Sequence, residues 1–299
     1  MRKYLLLFLM CVTPCFATDY YAQMTGNINA VGMWDPVPSG SSGNDLVWSE
    51  LQPEDTLDAN GETITINVTG WTCTNINTTH GGNFTYNLTG DNTINCDVVA
   101  GTTTCLTLSH LSGNSLTVKD VIGGNELYSY GVRNDSTGSV IITTNSGGSE
   151  FYAYGVLNAD MGSVTIITNN GGRSSYAHGV LNASTGSVII TTNSGGSEYF
   201  ASGVTNESTG IVTITTNSGG SVSSAYGVLN ASSGIVTITN LIFDETLAAP
   251  PTSGRNIFFD FGTVTYQKTD GGDDFVLEAG GGSTGATYGD SNAGGLYGP

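Results

Sequence analysis

The sequence predicts an all-β chain wound into a solenoid whose rungs are 24 residues long. Three observations carry that reading. From Gly131 the chain repeats without a gap as GVRNDSTGSVIITTNSGGSEFYAY, GVLNADMGSVTIITNNGGRSSYAH, GVLNASTGSVIITTNSGGSEYFAS and GVTNESTGIVTITTNSGGSVSSAY, then begins again as GVLNASSGIVTITN. Within each copy apolar residues alternate with polar ones, which is the period of a strand with one buried face. Between the alternating stretches stand N-x-S-T-G and N-S-G-G, residue types that favour turns. A unit this short cannot bury its own apolar face, so neighbouring units must stack.

The first strand of each rung is set by Val140, Val164, Val188, Val212 and Val236, with Ile142, Ile166, Ile190, Ile214 and Ile238 two residues on. Val, Ile and Thr are good strand formers, and no Leu-rich stripe of helical spacing competes with them. A second strand follows Ala153, Ala177, Ala201 and Ala225 and carries Val156, Val180, Val204 and Val228. Stacked at roughly 4.8 Å, each column becomes a ladder. Asn134, Asn158, Asn182, Asn206 and Asn230 then form a corner ladder whose amides bond from rung to rung and satisfy turn groups. Gly138, Gly162, Gly186, Gly210 and Gly234 fall where a Cβ would crowd the turn. One step of 24 residues back, Leu116 and Val118 match Val140 and Ile142. A further step places Ile94 under Val118 and Phe84 under Leu108. The Leu247–Pro251 stretch interrupts the register before Ile257–Tyr266 resumes it.

The remaining segments follow from composition. Met1-Arg2-Lys3, an apolar run to Val12 and Ala17 before Thr18 read as a secretory signal cut after residue 17. Residues 18–60, with Trp34 and Trp48, are expected to be an N-terminal lead or cap. Residues 61–278 are expected to be the solenoid, clearest over 131–240, and the Gly-rich residues 279–299 a loose tail. After the signal is removed, no apolar run approaches the roughly 20 residues that span a bilayer as a helix, so no transmembrane segment is expected in the mature chain, which would be secreted or held at the cell surface.

Seven Lys and Arg against 25 Asp and Glu give a formal charge of -18, and losing Arg2 and Lys3 with the signal makes it more negative. Such a chain is no nucleic-acid binder, because phosphate neutralisation needs cationic side chains. Export permits a disulfide, and among Cys73, Cys96 and Cys105 the short loop makes Cys96–Cys105 the preferred bridge; buried thiols are the alternative. No C-x-x-C or H-x-x-x-H spacing appears near His80 and His110, so no metal and no cofactor are expected. The sequons at Asn67, Asn77, Asn83, Asn87, Asn134, Asn182, Asn206 and Asn230 include four ladder positions, where they read as by-products of turn chemistry.

The x-G-V-x-N turn, V-x-I-x-T strand and N-S-G-G corner resemble right-handed parallel β-helix proteins, in particular the passenger regions of bacterial autotransporter and haemagglutinin-type adhesins. The resemblance spans about 83–278 and implies a right-handed parallel β-helix with an adhesin-like function at the cell surface. Its partners would be host or environmental glycans or surface proteins. Autotransporters end in a translocator β-barrel, whereas these residues end in Gly-rich sequence.

Candidate sites are columns on the outer surface. Tyr152, Tyr176 and Phe200, flanked by Tyr154, His178 and Tyr226, form an aromatic ladder whose apolar faces suit sugar rings; cross-rung stabilisation is the plainer role. A Thr-rich face runs from Ile141 and Thr143 to Thr237 and Thr239, with Ile in three rungs, and a flat Thr array would be an ice-binding surface. No catalytic residue is assigned. A polysaccharide hydrolase or lyase would need clustered acids, and Glu150 and Glu198 share a column only at two-rung separation, with Ser174 between. Asp270–Asp274 lacks the pattern of calcium-binding β-rolls.

Overall fold

The computed structural model describes residues 17–40, 46, 48–68, 71, 73–88, 90–109, 111, 113–219 and 225–242, and the strands Arg255–Phe259, Gly262–Tyr266, Phe275–Ala279, Thr287–Tyr288 and Leu296–Tyr297; beyond residue 239 only the backbone is described. The signal segment, the 247–251 interruption and Asp270–Asp274 lie outside these residues, as does most of the 279–299 stretch.

Each rung of the repeat contributes one long strand and one short strand. The long strands Ser115–Ile122, Ser139–Ser146, Ser163–Asn170, Ser187–Ser194, Ile211–Ser218 and Ile235–Ile242 pair in parallel in one sheet. The short strands Tyr130–Asn134, Tyr154–Asn158, His178–Asn182, Ser202–Asn206 and Tyr226–Asn230 do so in a second sheet. Register follows the repeat residue for residue: Val140 lies opposite Val164 and Ile142 opposite Ile166. The result is a parallel β-solenoid with rungs of about 24 residues. The only helical piece among the described residues is the 3-10 turn Trp48–Glu50.

Alternation dictates the core. Val140, Ile142, Val156, Val164, Ile166, Val180, Val188, Val204 and Val212 have no measurable exposure. One rung's ring of such residues has partners only above and below, so the hydrophobic core is a column that exists only when the rungs stack.

Earlier rungs are less regular. Ile94 lies opposite Val118 as the spacing predicts, but Phe84 lies opposite Leu106 and not Leu108. Parallel pairing also begins before residue 61: Asp19–Ala22 pairs with Thr56–Asp58, and Gly26–Asn27 with Thr63–Ile66. Both ends of the long-strand sheet are closed by an antiparallel strand, Trp34–Asp35 on Asp19–Ala22 and Phe275–Ala279 on Gly262–Tyr266. The outermost strand at the first end is two residues long, and a short edge strand offers little unpaired backbone to another chain. Trp34 anchors the first end, 1% exposed, with its indole N–H donating to the Ile28 carbonyl at 2.7 Å.

Two buried amide ladders run through the stack. At the end of the short strands, Asn134 donates to Asn158 Oδ1 at 3.1 Å, Asn158 to Asn182 at 3.0 Å, Asn182 to Asn206 at 2.9 Å and Asn206 to Asn230 at 2.9 Å. The second amide hydrogen of Asn158 reaches the Gly162 carbonyl. A Cβ on Gly162 would lie 2.6 Å from Asn134 Nδ2, so glycine is required by close approach and not by a left-handed φ. The second ladder stands inside the long strands: Asn145 donates to Asn169 Oδ1 at 2.7 Å, Asn169 to Asn193 and Asn193 to Asn217 at 2.6 Å. Each also reaches across the interior to a short-strand carbonyl, Asn145 to Gly179, Asn169 to Gly203 and Asn193 to Gly227. That crossing explains the first glycine of G-V-x-N, since a Cβ on Gly179 would meet Asn169 Nδ2 at 2.7 Å.

The cysteine expectation is corrected. Cys73 bonds Cys96, 23 residues away, and Cys105 is a buried free thiol whose Sγ donates to the Ile76 carbonyl at 3.4 Å. In a solenoid the neighbour in space is one rung away in sequence. Cys73 and Cys96 precede the paired strands Asn75–Asn77 and Asp97–Val99, whereas Cys105 leads into the opposite sheet at Leu106.

Two outcomes are expected. Asn169→Val removes one rung of the interior ladder and leaves Asn145 Nδ2 and the Gly203 carbonyl short of a partner, which should cost about 2–3 kcal/mol in denaturant unfolding. Unreduced peptide mapping should link Cys73 to Cys96, and Cys105 should be alkylated only after unfolding, because burial pushes its thiol pKa up.

Candidate aromatic ridge

The corner that follows the long strand carries the candidate site. After Gly147-Gly148 the chain makes a short turn, with Ala153 N–H donating to the Glu150 carbonyl at 3.1 Å and Gly148 N–H to the Ala153 carbonyl at 3.2 Å. The turn back toward the short strand places one residue in the left-handed region, and in four successive rungs that residue is aromatic: Tyr128 at φ 59°, Tyr152 at 55°, Tyr176 at 58° and Phe200 at 57°. Left-handed φ costs a residue with a Cβ roughly 1–2 kcal/mol, and Gly would avoid it. Gly147, Gly148, Gly171, Gly172 and Gly196 stand in the same corner with no such φ, held by close packing of backbone on backbone.

Stacking offsets that strain. Tyr128 and Tyr152 lie 5.3 Å apart at 8°, Tyr152 and Tyr176 5.3 Å apart at 34°, and Tyr176 and Phe200 5.0 Å apart at 28°. Aromatic pairs of this kind contribute about 0.5–1.5 kcal/mol beyond their buried area. The stacked rings therefore spend most of their faces on one another. Phe151 and Tyr199 stand across the stack instead: Phe151 meets Tyr152 at 4.6 Å and 88°, and Tyr199 meets Phe200 at 4.4 Å and 81°. Both are exposed, at 40% and 55%, and with Leu127 and Tyr128 they make a continuous apolar ridge along the corner. The sequence reading singled out the stack and passed over Phe151 and Tyr199; their signal was the doubled aromatic in S-E-F-Y-A and S-E-Y-F-A.

The flanking residues need correction. Tyr154, His178 and Tyr226 are 6%, 4% and 4% exposed, so they are no part of an accessible ladder. They begin the short strands, and Tyr154 stacks on His178 at 5.0 Å and 8°. The next rung carries Ser202 in that column. Its N–H donates to His178 Nδ1 at 3.2 Å, and its hydroxyl lies 2.8 Å from Nδ1 and 2.7 Å from Thr205 Oγ1. An Nδ1 that accepts from the backbone leaves the ring proton on Nε2. Burial holds the His178 pKa down to about 3, so the ring is neutral at physiological pH. Burial also raises the Tyr154 pKa, reinforced by neighbouring Tyr130 and Glu207, and raises that of Glu207 itself.

Acidic residues fringe the ridge without converging. Glu150 and Glu198 are exposed two rungs apart, with Ser174 between. Among the described residues no three His, Cys, Asp or Glu side chains gather as a metal site would require. His80 Nδ1 meets Asp58 Oδ2 at 3.0 Å near the N-terminal end, far along the stack from the ridge. On the long-strand face, Ile141, Ile167 and Ile189 are exposed among the threonines, at 36%, 51% and 46%.

His178 gives a pH signature. Unfolded, its imidazole takes a proton near its ordinary pKa of 6.5; folded, it resists until about pH 3. Stability should therefore be full above about pH 6.5 and fall by about 1.4 kcal/mol per pH unit below it. In His178→Tyr, the residue this column carries at Tyr154 and Tyr226, that component of the acid slope should vanish from denaturant titrations. No protein-family model, curated protein or solved structure matches this chain.

Proposed function

We propose that this is an exported, adhesin-like β-solenoid that binds glycans through the aromatic ridge and performs no catalysis. The observation that carries this reading is a row of aromatic residues kept in a strained backbone conformation where glycine would serve, beneath the exposed rings of Phe151 and Tyr199. Strain retained at equivalent positions in successive rungs points to a role for the side chains it positions. A contiguous exposed apolar surface on an otherwise acidic molecule is a contact surface. The stacked Tyr152, Tyr176 and Phe200 are the bed on which Phe151 and Tyr199 stand, so the ridge depends on both layers. Repetition suits multivalent contact along a surface, because several rungs offer related groups.

Glu150 and Glu198, separated by a serine rung, lend no support to acid–base hydrolysis, and the exposed Ile141, Ile167 and Ile189 interrupt the threonine face that ice binding would use.

A glycan array probed with the exported chain, beside a Tyr152→Ala/Tyr176→Ala/Phe200→Ala variant of unchanged circular dichroism, tests the reading. Selective binding by the parent and its loss in the variant is expected. Binding equal in both, or none by folded parent, would overturn it.

A further inference from the structure

The ridge carries two standing rings, Phe151 and Tyr199, two rungs apart, over a stack that runs unbroken through the rung between them. Successive rungs read Glu150-Phe151-Tyr152, Ser174-Ser175-Tyr176 and Glu198-Tyr199-Phe200. The left-handed aromatic is present in all three, as it is at Tyr128 in the rung before, whereas the standing ring and its neighbouring carboxylate are missing from the middle one; the rung before carries Glu126 and Leu127. Consecutive stacked rings are displaced along the rod by one rung, so their planes lie across its axis. Phe151 and Tyr199 stand at 88° and 81° to the ring beneath each, and Phe151 also leans on Tyr176 of the next rung at 5.0 Å and 55°. Two flat platforms thus belong to rungs two apart, roughly 9.6 Å along the stack, and the rung between them carries the small Ser175 at their position.

The geometry points to one class of ligand: a neutral, linear glycan of equatorially linked pyranoses lying along the rod, with alternate sugars stacked on Phe151 and Tyr199. This inference rests on the glycan-binding reading and specifies its substrate. In such an extended chain every second ring returns to the same orientation after one disaccharide, a length close to two rungs. The intervening sugar passes over Ser175, where a large side chain would obstruct it. Stacking uses the apolar face of a pyranose against an aromatic ring, and Glu150 and Glu198, exposed and without an ion-pair partner among the described residues, stand beside the platforms as acceptors for sugar hydroxyls. Charge selects against anionic glycans. The chain carries -18, and the one cation in this corner, Arg173, lies between the two carboxylate rungs. Helical or branched chains do not present ring faces at this period.

The test measures binding of the full exported chain to β-1,4-linked glucose and N-acetylglucosamine oligomers of increasing length. α-1,4-linked glucose oligomers and a sulfated glycan serve as comparisons. Affinity is expected to step up by about tenfold between disaccharide and trisaccharide, the first length to reach both platforms, and to be insensitive to salt. Phe151→Leu and Tyr199→Leu, which keep apolar bulk without a flat face, should each abolish the step. The decisive variant is Ser175→Phe/Tyr199→Ser, which keeps two standing rings but sets them on adjacent rungs. It should lose the step while its unfolding midpoint stays that of the parent. An unchanged length profile in that variant, or preference for the sulfated or α-linked chains, would overturn the linear-chain inference and leave glycan binding standing. Failure of the folded parent to bind any of these sugars, with the array also blank, would remove both.

Discussion

A buried amide must find a partner on either side, and that demand fixes this molecule more tightly than its apolar core does. Val and Ile columns would tolerate a sliding rung, because one methyl packs on another with little directionality. Asn158 does not: it accepts from Asn134, donates to Asn182 and donates again to Gly162. The interior ladder adds a cross-tie, since Asn169 bonds both the rung above and the opposite sheet at Gly203. A shift by one residue would leave every such group unpaired in a region water does not enter, at about 1–3 kcal/mol each. Spacing between the sheets, register along them and the positions of two glycine columns all follow from those amides.

Where the ladders stop, the column changes chemistry. Val121 lies opposite Asn145, so the interior amide series ends there against an apolar side chain. Asn145 Oδ1 is accordingly left without a partner. The stretch from Asn145 to Asn217 is the most regular part of the stack, and the ridge is built on it. Regular rungs give regular corners, and only regular corners bring aromatic rings to 5.0–5.3 Å from one another.

Much of this was legible in the sequence because a fixed period turns one dimension into three. Opposed residues such as Val140 and Val164, or Asn134 and Asn158, could be paired by counting. Four features escaped that count. Cys96 and Cys105 are close in sequence but belong to opposite sheets, and loop length misled where rung length would have pointed to Cys73. Tyr154, His178 and Tyr226 follow an alternation that says which residues share a side, but not what covers that side. The left-handed φ at Tyr152, Tyr176 and Phe200 was hidden because residue preferences assign such a conformation to Gly or Asn, and the Gly-Gly beside them drew the assignment. The Asn145 column was visible as an invariant letter, yet its turn-like company of Ser and Gly disguised a strand residue facing inward.

The closure of the long-strand sheet by antiparallel strands at either end has a consequence for how such a molecule changes over generations. Among the regular rungs from Ser139 to Ser218, adding or removing one whole rung leaves each remaining rung paired in the same register with a neighbour above and below. A gain of a single residue inside a strand would instead turn core side chains outward along the rest of that strand. Variation is thereby channelled into whole turns, and the reach of the corner ridge can lengthen or shorten by duplication while the two end strands remain untouched.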